Sequence, residues 1–238
     1  MTRQAEKKSS DKPLKRAQDE GNAMVYVLIV VALFAALSFV MSRQNDGGES
    51  EALSEERIEI AASSLQQTSA RVQQSIEQMV WSGTEIDDLL FMPSTDPTFE
   101  DRPFFAKVFH PQGGGVSLPP LRAEVAAQID TDPPAGWYLG RFNNVSWTDS
   151  AGDDVILSAH QIRRDVCARI NERLTGSPTI PTLGGETNQL LFSSAVSTAS
   201  SNIEFSSANC ADCFGWPSLC VRDDDTERFT YYNIIIGQ

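Results

Sequence analysis

Residues 19–44 read DEGNAMVYVLIVVALFAALSFVMSRQ, and how this stretch is understood decides how the rest of the chain is read. A charged leader stops at Gly21. An apolar run follows from Ala23 to Met41, with polar side-chain atoms only at Tyr26 and Ser38. Nineteen residues as a helix span about 28 Å, close to the hydrocarbon thickness of a bilayer. Basic residues precede the run, and the acidic segment QNDGGESE (44–51) follows it. The positive-inside rule therefore predicts a cytoplasmic N-terminus, one pass through a bacterial inner membrane and an exported body beyond Arg43.

Three fates of this segment are open. A cleaved signal peptide would use Ala36-Leu37-Ser38, but Phe39-Val40-Met41 prolongs the apolar core past that site. An uncleaved signal anchor fits the length directly. The third fate is a filament-assembly helix, released from its leader after Gly21.

Charge separates the leader from the body. Residues 1–21 carry six Lys/Arg and four acids, and the remaining 217 carry 13 bases and 28 acids. Four of the five lysines precede Gly21, leaving only Lys107 beyond it. A body this acidic repels phosphate backbones, and no basic patch alternates with aromatics, so nucleic acid is excluded as a partner.

Beyond the membrane run, Ile58, Ala61, Leu65, Thr68, Val72, Ile76 and Met79 recur at helical spacing, with Gln66, Arg71, Gln73 and Glu77 on the other side. This predicts an amphipathic helix over 52–82, stopped by Gly83. Its apolar stripe fits packing on the chain's own head better than a coiled coil, because the run is short and includes Ala61 and Thr68.

The head, residues 83–238, is expected to be α+β, a largely antiparallel sheet with one further helix. Strands are predicted over 104–110, over 136–147 with a bulge at Gly140, after a hairpin turn at 149–154, over 190–196 and over 228–238. The glycines at 113–115 mark a long turn. Ser158 and Gln161 have the spacing of a capping box, which predicts a helix from 158 to Gly176 with Ile162, Val166, Ile170 and Leu174 on its buried face. That reading puts His160 in the first helical turn. The segment 197–209 is predicted to be polar and exposed. The three expected parts are thus a basic leader (1–21), an N-terminal helix (22–82, with 23–41 transmembrane) and the head (83–238).

Four cysteines lie in the head: Cys167, Cys210, Cys213 and Cys220. A four-thiolate zinc site normally draws on two paired knuckles, and only Cys210–Cys213 forms such a pair. In an exported body the expectation is two disulfides. Three pairings exist and spacing does not choose among them; the one favoured joins Cys167 to the 210–220 loop and places the second bridge inside that loop. Asp223, Asp224 and Asp225 make an acidic turn that is a candidate calcium site. It lacks the alternate spacing and glycine of an EF-hand loop. No other cofactor is expected. His110 and His160 are the only histidines, and no nucleophile elbow, zinc-protease motif or phosphate loop occurs. The expected role is non-catalytic.

A basic leader ending in glycine, followed at once by an apolar helix that continues as an amphipathic one, resembles a type IV pilin or pseudopilin precursor. The resemblance covers roughly residues 1–80. It implies that a prepilin-type peptidase cuts between Gly21 and Asn22, and that the apolar helix then packs with other copies or related subunits in a filament core. The family usually carries a glutamate at the fifth mature position, and Tyr26 stands there. This departure, with Asn22 in place of a hydrophobic residue after the cut, implies a minor or atypical subunit of a pilus-like or type II secretion-like filament. The alternative is a signal-anchored periplasmic protein whose acidic head binds a partner or ligand. An anchored enzyme is the third reading and has the least support.

Overall fold

The computed structural model describes residues 20–45, 54–185, 187–192 and 204–237. The chain divides into two units, with the boundary between Ala52 and Leu53. The first holds helix α1, Glu20–Asn45, 26 residues whose backbone includes the apolar run. Its side chains are described at positions 25–36 and 38, and all of these are exposed. Counted over the described residues, no helix is long and apolar enough to cross a membrane.

The second unit opens with α2, Glu55–Trp81, close to the expected span. Glu55 and Glu56 in its first turn face the positive end of the helix dipole. At the other end the Gly83 N–H donates to Val80 O and the Thr84 N–H to Met79 O, the paired bonds of a Schellman motif. Gly83 adopts φ +101°, a conformation that a side chain disfavours. Every stripe residue from Ala61 to Met79 is buried, and Ile58 is half-buried. The stripe packs on the chain's own sheet.

That sheet has five strands in the order β1-β2-β5-β4-β3. Strands β1 (Gly136–Asn143), β2 (Asp154–Ile162), β5 (Phe229–Ile236) and β4 (Ser218–Asp223) pair antiparallel, and the two-residue β3 (Thr182–Leu183) lies parallel to β4. Helices α2 and α3 (Arg164–Thr175) cover one face. There Leu157, Ala159, Ile162 and Tyr231 meet Leu65, Val72, Val166 and Ile170. The short α4 (Thr187–Leu191) and the segment around Phe205 cover the other face, over Ile156, Leu219 and Tyr232. With both faces covered, β2 is buried at all nine positions.

Several expectations are corrected here. The capping box does not form. Residues 154–162 alternate between two buried faces and continue as β2, and Ser158 Oγ donates to Leu191 O at 2.9 Å. Helix α3 starts at Arg164, with the Asp165 carboxylate accepting the Val166 N–H, and ends at Gly176 as expected. His160 is therefore a strand residue. Residues 104–110 form turns rather than a strand, because Lys107 points inward and its ammonium gathers the carbonyls of Thr98, Phe99 and Asp101. An extended strand could not curl around it. Gly114 carries a close approach in the following turn, where an added Cβ would lie 2.6 Å from Met79 Sδ. The β1 irregularity falls between Arg141 and Asn143, not at Gly140. Leu190 and Leu191 belong to α4, not to a strand, and 193–196 lie outside the described residues. Phe205, in a segment expected to be exposed, is fully buried and bridges to Val145.

Candidate functional site

Strand β2 is broken near its end by a bulge. His160 faces Thr230 and Ile162 faces Phe229, so Gln161 is left between them with φ +54°. A positive φ in a buried residue other than glycine is disfavoured and persists only where surrounding bonds hold it. Here the carboxamide does so. Gln161 Oε1 accepts the N–H groups of Ile129 and Asp130, and its Nε2 donates to Asp130 O (2.9 Å) and Pro133 O (2.7 Å). One inverted residue thus fastens the loop that precedes β1 to the centre of the sheet.

The fastened loop meets the acidic turn between β4 and β5. Arg228 Nη2 donates to Asp223 Oδ2 at 3.0 Å, its Nε donates to Thr226 Oγ1 at 2.8 Å, and Nη1 lies 3.7 Å from Asp130 Oδ2. The other Asp223 oxygen accepts the Asp225 N–H at 3.3 Å. The turn is therefore folded around a guanidinium. The three aspartates of the calcium expectation divide: Asp223 is engaged by Arg228, while Asp224 and Asp225 are exposed. Among the described residues no group of three or more His, Cys, Asp or Glu side chains is placed to hold a metal ion.

Between these two loops and the start of α4 lies a pocket of about 360 Å³, reached by Asp132, Asp223, Asp225, Arg228, His160 and Thr187. His160 forms part of its floor. The ring Nδ1 lies 2.8 Å from Thr230 Oγ1, and the ring packs against Phe192 at 4.6 Å between centroids. Burial, with the Arg228 charge second and Asp130 opposing, pushes the imidazole down to about 4, so at neutral pH it is uncharged. His160 and Thr187 are 1% and 2% exposed, and among the described residues neither His160 Nε2 nor Thr187 Oγ1 has a hydrogen-bond partner. Buried polar atoms left in this state are rare.

His110 is placed differently. Its ring stacks on Phe104 at 4.4 Å, its Nδ1 accepts the Gln112 N–H, and Nε2 lies 3.7 Å from Glu100. Among the described residues neither imidazole hydrogen-bonds a serine or cysteine, and the one hydroxyl that meets an imidazole, Thr230 Oγ1 on His160 Nδ1, is buried at 1% exposure. A wider groove of about 1000 Å³ runs beside α3, but Arg163 and Arg222 on its wall pair with Asp165 and Glu227.

The four cysteines form two disulfides, Cys167–Cys220 and Cys210–Cys213, the favoured pairing. The first ties α3 to β4 and the second closes a turn beside Phe205. Gly21 and Asn22 lie in the first turn of α1. No family model, curated protein or solved structure matches the chain.

Sequence reading found the acidic turn but not its partners. Gln161 and His160 were hidden by the false capping box. The signal that reveals them is the period-two alternation of DVILSAHQI directly after a turn. Thr187 and Arg228 carry no sequence signal, since their roles depend on which loops meet.

Proposed function

We propose that this protein is a non-catalytic structural subunit of a type IV pilus-like or type II secretion-like filament, of a minor or atypical kind. The single observation that carries the reading is the seating of α2, whose apolar stripe from Ala61 to Met79 is buried on an antiparallel sheet inside one head. That is the architecture implied by the precursor resemblance of residues 1–80. Two disulfides fit a head that matures in an oxidising compartment. The apolar run 23–41 supplies the membrane stage and, after cleavage between Gly21 and Asn22 by a prepilin-type peptidase, the filament core. Tyr26 in place of the usual glutamate removes the partner of a neighbour's amino terminus, which favours a minor position over the repeating one. In this reading the N-terminus is cytoplasmic before processing, and the head is periplasmic or displayed on the filament.

Intact mass and N-terminal peptide mapping of the protein from native membranes test this. A mature chain starting at Asn22 is expected. A start at Phe39, or an intact leader, overturns it.

A second reading, a signal-anchored periplasmic protein whose head binds a ligand, is favoured by the pocket under His160 and Thr187. An intact leader together with a ligand-competent head would select it.

A further inference from the structure

We propose that the pocket between the Gln161-fastened loop, the Asp223–Arg228 turn and α4 binds a small alkylammonium ligand. Its floor and rim demand a cationic donor. On the floor, two buried polar atoms, His160 Nε2 and Thr187 Oγ1, have no partner among the described residues. In the tautomer whose Nδ1–H donates to Thr230, Nε2 of the pocket-lining His160 is a bare acceptor, and the Thr187 hydroxyl in the same lining offers two more lone pairs. At the rim, Asp132 and Asp225 are exposed carboxylates that meet no basic side chain among the described residues.

The one cation in the lining, Arg228, is engaged by Asp223, Asp130 and Thr226. It neutralises Asp223 and leaves nothing for an incoming anion. An inorganic metal ion is disfavoured because no three ligating side chains converge among the described residues. A primary ammonium needs only scattered acceptors, since its three N–H groups rotate on one bond. A volume of about 360 Å³ lies at the small end of ligand pockets. The occupant is therefore a short amine or diamine rather than a peptide. Gln161 acts as a positioning residue: its carboxamide, aimed by the inverted backbone, holds the loop that carries Asp132.

The test is calorimetric titration of the full-length chain in detergent micelles with ethylamine and with 1,3-diaminopropane, beside calcium chloride and sodium acetate. Saturable one-to-one binding of amine is expected, with the diamine tighter because it carries a second charge to the acidic rim. Thr187→Val, which deletes the hydroxyl at constant shape, and Asp225→Asn, at an exposed position, are each expected to weaken binding about tenfold or more. The proposal is overturned if neither amine binds a cooperatively folded protein, if both variants bind as the parent does, or if calcium or acetate binds in the amine's place. Its failure leaves the filament reading untouched, because that reading is tested at the amino terminus.

Discussion

The Asn233 side-chain amide, on central strand β5, donates to Ser69 Oγ on α2 at 2.8 Å, joining residues 164 apart in the chain. Both are buried. The bond sits where the amphipathic helix crosses the sheet, beside the buried Tyr231 hydroxyl, which Ser69 and Ser218 also reach. Ser69→Ala is therefore expected to strand a buried donor and cost about 1–3 kcal/mol. In urea unfolding the midpoint should fall while the slope stays that of the parent. An unchanged midpoint would show that the amide finds another acceptor and that Ser69 does not fix the helix on the sheet.

The two disulfides differ in what they constrain. Cys167–Cys220 spans a sequence separation of 53, whereas Cys210–Cys213 spans 3. Loop-closure entropy then predicts about 4 kcal/mol for the first and about 2 kcal/mol for the second. The long bridge also has company: Asn171 Nδ2 donates to Cys220 O and Asn171 Oδ1 accepts the Cys220 N–H, each at 2.8 Å. Replacing Cys167 and Cys220 together by alanine should lower the thermal midpoint well below that of the Cys210/Cys213 double variant. Equal losses would contradict the loop-length argument.

Elements with a long run of one period or one residue class were legible in the sequence. The α2 stripe, the β5 run and the α3 face from Val166 to Leu174 all lie where spacing placed them. Misreadings came where one short pattern served two geometries. Ser158 and Gln161 have capping-box spacing, yet the first satisfies the end of α4 and the second inverts at a bulge. The alternation of 104–110 looks like a strand until Lys107 is seen as the centre of a carbonyl nest. Phe205 sits amid serines and is buried only because residues far along the chain reach it. The candidate pocket was half visible: the acidic turn has a composition signal, whereas Arg228, Thr187 and the unpaired Nε2 are products of tertiary contact.

Lys107, the head's only lysine, is 2% exposed, and its Nζ donates to Thr98 O, Phe99 O (2.8 Å) and Asp101 O. Among the described residues no carboxylate lies at ion-pair distance from it, so three backbone carbonyls carry most of the solvation of a buried charge. Lys107→Met keeps the stem and removes the donors, leaving those carbonyls unsatisfied. A loss of about 2–4 kcal/mol is expected. Hydrogen exchange should quicken first in residues 98–116, whose turns wrap the ammonium. Stability equal to the parent would mean that the loop is held by its apolar contacts alone.

The buried imidazole of His160 makes stability depend on pH in a defined direction. Burial first, then Arg228, lowers its folded value to about 4 from an unfolded value of 6.5. Above the unfolded value both states are neutral and the contribution is fully present. As pH falls below it, the unfolded chain takes up a proton that the native site refuses, so stability drops by up to about 1.4 kcal/mol per pH unit until the folded value is passed. Asp130 opposes the shift, and Asp223 pairs with the Arg228 that adds to the effect of burial, so both belong to the same balance. Between about pH 6.5 and about pH 5, above the usual carboxylate range, the thermal midpoint should fall steadily in the parent. His160→Phe removes the titrating group while keeping a ring against Phe192, and its profile over that interval should be nearly flat. Parallel profiles for parent and variant would show that another group governs the acid sensitivity of the head.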